Sequence, residues 1–232
     1  MTDAANGPGR PGLGRDGRAA YSVRVPSLTH RAVAGVLGLT QRHRMPHDDA
    51  GMIRELDEAT LRPRSFAPPR SLDRQVGLRV TGDRGWRVYE LAPRERAMPR
   101  RRVVYFHGGG YVGEIDPGHW RTCARLARIG PARVTVPIYP VAPGSTADRT
   151  VPTAADIAAD VIADAGDPSL VTLAGDSAGG GLALAVAQTL RDRGIGAPAL
   201  LLIAPWLDAT MTDPRIDPAA TRDPVLSVPR LV

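Results

Sequence analysis

Ser177 stands in Gly175-Asp176-Ser177-Ala178-Gly179-Gly180, directly after the apolar run Leu170 to Ala174. A serine hydroxyl flanked by small residues at the end of a strand can attack a carbonyl carbon, but only if an acceptor takes its proton, ordinarily an imidazole oriented by a carboxylate. All five histidines of the chain, His30, His43, His47, His107 and His119, precede Ser177. The spacing points to acyl transfer, and the general base is left unassigned.

A second motif, His107-Gly108-Gly109-Gly110, follows the apolar stretch Val103 to Phe106. Residues without side chains at such a place can turn their N–H groups toward a substrate oxygen. Ala178, the first residue after the serine, would open a helix, where unpaired amides and the helix dipole favour a developing anion. Gly108, Gly109 and Ala178 are therefore the candidate oxyanion donors, with His107, Gly110 and Asp176 as supporting residues of the two motifs. His107 and His119 could lie near the site, but no motif aims either ring at Ser177. His30, His43 and His47 have no spacing that argues for a metal site, so no metal and no cofactor are expected.

The elements that must hold these residues are legible in the hydrophobic pattern. Val76 to Val80 and Trp86 to Leu91 alternate like half-exposed strands around the turn Gly82-Asp83-Arg84-Gly85. From Arg102 onward strands and helices succeed one another: strand 102–106, helix 120–129, strand 134–139, helix 151–165, strand 170–174, helix 178–190 and strand 200–204. Asp156, Asp160 and Asp164 recur four residues apart on one face of the second of these helices, opposite its apolar face. Continuous apolar strands alternating with helices predict an α/β fold, a mostly parallel sheet with helices on both faces.

The chain has 232 residues, enough for one domain with a substantial core. Its formal charge of +6 comes entirely from arginine, since it holds no lysine. These arginines are scattered among Asp and Glu and aromatic residues are few, which argues against nucleic-acid binding. The densest run, Arg94, Arg96, Arg100, Arg101 and Arg102, reads as a solvated connection. The lone Cys123 excludes an internal disulfide and reads as a small buried residue. Residues 1–26 lack the apolar stretch of a secretory signal, and the apolar run Leu200 to Ile203 is far too short to span a bilayer. A cytoplasmic protein with no membrane and no nucleic-acid partner is expected, acting on a small molecule, with a homo-oligomer left open.

Taken together, His107-Gly108-Gly109-Gly110-Tyr111, the segment Ile138 to Pro143, Ala174 to Ala183, Pro205-Trp206-Leu207-Asp208 and Arg222 to Ser227 resemble the hormone-sensitive-lipase-like group of α/β hydrolases, the GDXG esterases. The resemblance implies a carboxylic ester hydrolase working through an acyl-enzyme on Ser177. It also implies a division into a flexible tail (1–26), an N-terminal helical cap (27–67), an α/β-hydrolase core (68–205) and a cap segment (206–232). Within that group the triad acid and histidine follow two further strands, and this sequence ends at Val232. The expectation is a C-terminally truncated chain, its last two strands missing and its hydrolysis impaired. Two alternatives stand beside it: a non-catalytic protein that keeps the acyl pocket as a binding site, and a second chain that supplies the acid and histidine. The remaining carboxylates Asp208, Asp213, Asp217 and Asp223 read as caps or turn residues.

Overall fold

The computed structural model describes residues 51, 54, 66–94, 99–196, 198–214 and 216. The expected tail, nearly all of the N-terminal cap and residues 217–232 lie outside them. The chain divides at Met45/Pro46, and everything below concerns the second unit.

Six strands form one sheet: β1 (Val76–Asp83), β2 (Trp86–Pro93), β3 (Arg101–Phe106), β4 (Ala132–Ile138), β5 (Val171–Asp176) and β6 (Ala199–Ile203), in the order β1-β2-β4-β3-β5-β6. β1 and β2 are antiparallel, β2 joins β4 antiparallel, and β4, β3, β5 and β6 run parallel. The parallel strands are connected through α1 (Pro117–Ile129), α2 (Ala147–Ala165) and α3 (Ala178–Asp192). One sheet face packs Tyr89, Tyr105, Val134 and Val136 against Trp120, Cys123 and Ala127 of α1. The other packs Val104, Phe106, Val171 and Leu173 against Ala154, Ile157 and Ala158 of α2 and Leu182, Val186 and Leu190 of α3. Helices on both faces are what continuous apolar strands require, because each strand side must be covered. The expected fold class is the observed one.

Element limits differ from the sequence reading where the deciding group is polar. The β1/β2 turn is only Arg84-Gly85, both at positive φ (47° and 83°), the two-residue connection that suits the twist of antiparallel strands. α1 begins at Pro117, three residues before its first large apolar side chain, because Asp116 caps it and Pro117 fits the first turn. α2 begins at Ala147 with Pro152 inside it. Its acidic stripe meets arginines: Asp160 pairs with Arg84 at 2.7 Å, Asp164 with Arg102 at 3.0 Å and Asp156 with Arg193 at 2.6 Å. Arg102 thus departs from the expected solvated run, since it lies in β3 with an 11% exposed side chain. Cys123 is buried, as expected. Among the described residues no helix is long and apolar enough to cross a membrane.

Candidate active site

Ser177 occupies the turn from β5 into α3 with φ 49° and ψ −121°, in the half of backbone space that L-residues rarely enter. Such strain persists only where the surroundings over-determine it. Here the Ser177 N–H donates to the Ile203 carbonyl of β6 (3.0 Å), and its own carbonyl accepts from Gly180, Gly181 and Trp206. The turn is also packed to the limit: a Cβ on Gly175 would lie 2.2 Å from the Gly179 carbonyl oxygen. Small residues two before and two after the serine are therefore a steric condition of the bend. The serine is left half-buried.

The glycine loop after β3 lies against this turn. Register places Phe106 opposite Gly175, so β3 and β5 end within one residue of each other. A Cβ on Gly179 would approach the Phe106 and His107 carbonyl oxygens to 2.2 and 2.4 Å, which shows how closely α3 passes under the loop. Gly109 (φ 122°), Gly110 (φ 63°) and Tyr111 (φ 63°) then fold the chain back. The Tyr111 ring stands 5.7 Å from that of Trp206, and both residues pack closely against α3 at Gly181.

Two of the three expected donors keep a free N–H. The amides of Gly109 and Ala178 donate no hydrogen bond among the described residues, and neither does that of Gly110. Gly108 is different, because its N–H donates to Asp176 Oδ1 at 3.1 Å. An amide held by a carboxylate is not open to a substrate oxygen while that bond stands. Gly110, expected only as motif support, has the free amide instead.

Asp176 gathers further donors. Tyr105 Oη donates to Oδ1 at 2.5 Å, and His119 Nε2 to Oδ2 at 3.2 Å. Burial raises the Asp176 pKa, but the hydrogen bonds from His119 and Tyr105 outweigh it and hold the carboxyl below the ordinary carboxylate range. For His119, burial acts downward, yet the bond to Asp176 and the charges of Asp176 and Asp116 leave its pKa raised. The Tyr105 phenol is pushed far up by burial and by the same carboxylate. Neither Tyr105 nor the tie between His119 and Asp176 was legible in the motifs. The signal within reach was Asp116-x-x-His119, the spacing of a capping box.

Among the described residues no imidazole meets the serine. Among the described residues neither His107 nor His119 is hydrogen-bonded to Ser177. His107 is fully buried, stacks on Tyr139 at 4.3 Å and donates from Nδ1 to the Gly108 carbonyl at 2.7 Å. Burial drives its pKa down to about 4, so the ring is neutral at neutral pH. Asp208 accepts from the N–H and hydroxyl of Thr210, a turn role, as its sequence context implied. Asp217 and Asp223 lie outside the described residues.

A strand-turn-helix serine, a glycine loop beside it and a parallel sheet define the class. A profile of the alpha/beta hydrolase fold matches residues 103–231, and the chain belongs to that family. The proteins and solved structures the chain resembles include hormone-sensitive lipase and bacterial esterases of that group. It is 40% identical over 125 residues to a Mycobacterium tuberculosis protein named for acetyl-hydrolase activity, LipR, a match covering 53% of this chain and 40% of that protein. It is 39% identical over 147 residues to a triacylglycerol lipase of the same organism, covering 61% of this chain and 33% of that one. The crystal structure of an esterase from the bacterial hormone-sensitive lipase family superposes with a TM-score of 0.67 at 27% identity, over 87% of this chain and 65% of the other. The matched stretches thus span well under half of those two curated relatives and about two thirds of the solved structure.

Proposed function

We propose that this chain carries the nucleophile and the oxyanion-binding loop of a serine carboxylic ester hydrolase. Ser177 Oγ attacks the ester carbonyl, and the amides of Gly109, Gly110 and Ala178 take the charge that develops on its oxygen. The alcohol then leaves, and water releases the acyl group from Ser177. The observation that carries this reading is the strained Ser177 bend with three unoccupied amides on the two elements that flank it. The substrate class follows the acetyl-hydrolase, lipase and esterase names of the relatives.

Among the described residues the serine proton has no imidazole to go to, since the rings of His107 and His119 are engaged elsewhere. Loss of the triad histidine costs a serine hydrolase on the order of 10⁶ in turnover. We therefore infer that hydrolysis by this chain is impaired. Residual reaction comes from positioning and the oxyanion site, on the order of 10³-fold over water.

The test is p-nitrophenyl butyrate hydrolysis by the 232-residue protein and by Ser177→Ala, with intact-mass detection of an acyl group on Ser177. Slow acylation that disappears in Ser177→Ala is expected. Absence of any Ser177-dependent acylation or hydrolysis would overturn the nucleophile, and full esterase turnover would overturn the impairment. The lack of an imidazole on Ser177 among the described residues also favours a second reading, a protein that binds acyl ligands without hydrolysing them. In that case Ser177→Ala leaves the affinity for an acyl ligand unchanged.

A further inference from the structure

Asp176 is the residue next to the nucleophile, yet its carboxylate faces away from Ser177 chemistry and toward three other elements. Tyr105 reaches it from β3 (2.5 Å), the Gly108 N–H from the glycine loop (3.1 Å) and His119 from the first turn of α1 (3.2 Å). The loop touches the carboxylate so closely that a Cβ on Gly108 would lie 2.4 Å from Asp176 Oδ2. His119 is preset for its part. The Asp116 N–H donates to Nδ1 at 3.0 Å, so the neutral ring must carry its proton on Nε2, the nitrogen that faces Asp176. Asp116 is fixed in turn by the N–H groups of Gly118 and His119, which its Oδ1 accepts. The His119 and Asp176 side chains are 15% and 26% exposed, so their contact is shielded from much of the screening that weakens surface pairs.

We propose that His119 is a positioning residue for the oxyanion site: by anchoring Asp176 from α1, it holds the Gly108–Gly110 loop at a fixed place beside Ser177. This deepens the reading above and rests on it, since it presumes that the amides of Gly109 and Gly110 receive the substrate oxygen. Oxyanion donors act only within about 2.7–3.1 Å of the charge, and removal of one costs on the order of 10²-fold in rate. Without His119 the carboxylate keeps two donors on Oδ1 and none on Oδ2. It is then free to turn, and the loop turns with it. Tyr105 is the second anchor of the same group.

The experiment measures phenylboronic acid binding to the 232-residue protein by calorimetry and by boron NMR. In the adduct Ser177 Oγ bonds to boron, its proton passes to the buffer, and the trigonal boron becomes a tetrahedral anion with one hydroxyl oxygen in the oxyanion site. We expect His119→Ala to weaken binding by about tenfold, less than the loss of a whole donor because the loop is loosened and not removed. His119→Gln, which keeps an N–H for Asp176, is expected to recover most of that loss. Tyr105→Phe gives a smaller loss and serves if His119→Ala does not fold. Amide exchange of Gly108 provides a readout that needs no reactive serine, and it is expected to accelerate about tenfold in His119→Ala, as that hydrogen bond opens more often. A folded His119→Ala protein that binds boronate as the parent does, or that keeps the Gly108 protection unchanged, overturns the proposal. A parent protein that forms no Ser177-dependent adduct overturns the nucleophile reading instead, and Gly108 exchange then judges the anchor alone.

Discussion

At the scale of single residues, burial and close contact set the costs. His107 is buried neutral, and its pKa of about 4 against an ordinary 6.5 fixes the sign of its effect on stability. A group whose folded pKa is depressed stabilises the protein above its unfolded value and loses that contribution as pH falls. The loss therefore runs from about pH 6.5 down to about 4 and amounts to about 3 kcal/mol. His119 acts with the opposite sign. Its raised pKa adds stability that is fully present below pH 6.5 and is lost as pH rises through the folded value. Urea unfolding across this window should show a fall in stability toward acid that is flattened in His107→Gln, and an unchanged slope in that variant would refute the assignment. Gly179 is limited by space in place of charge. Gly179→Ala puts a methyl group 2.2 Å from the Phe106 carbonyl oxygen, where only backbone can yield, so a loss of at least about 2 kcal/mol is expected in the same assay.

At the scale of elements, the site is made by strand ends. β3 and β5 pair in register and end within one residue of each other, so the glycine loop and the serine turn emerge side by side. β6 adds a third constraint by accepting the Ser177 N–H at Ile203. Much of this was readable in the sequence: the apolar runs located every strand within two or three residues of its observed limits, and the motifs lay at the expected ends. What could not be read was the polar cross-linking. The carboxylate of Asp176 could have met either motif histidine or neither. Only the packing of α1 on the sheet put His119, and not His107, within reach of it. Which of the Gly108 and Gly110 amides is engaged was hidden for the same reason, since it turns on which amide a side chain from another strand has already occupied.

At the scale of the whole molecule, the parallel sheet has one unprotected side among the described strands. β6 lies at its edge with Leu200, Leu201 and Ile203 at 43%, 39% and 43% exposure, apolar on both faces. Such an edge offers unpaired backbone groups and apolar surface to another chain. The 232-residue protein is expected to self-associate with rising concentration, as read by light scattering. Leu201→Lys should suppress the association, because a charge on the edge opposes strand addition. A monodisperse parent protein at high concentration would refute this.

The sequence by itself determined the class of fold and the place of the Ser177 turn. Both follow from local rules: apolar periodicity dictates which faces are covered, and the glycine spacing around Ser177 is the only one a bend that tight permits. The tertiary structure decided which amides are free and which histidine serves Asp176. Those outcomes depend on hydrogen bonds between residues 57 to 71 positions apart, whose partners are selected by how three elements pack and not by any stretch of chain alone.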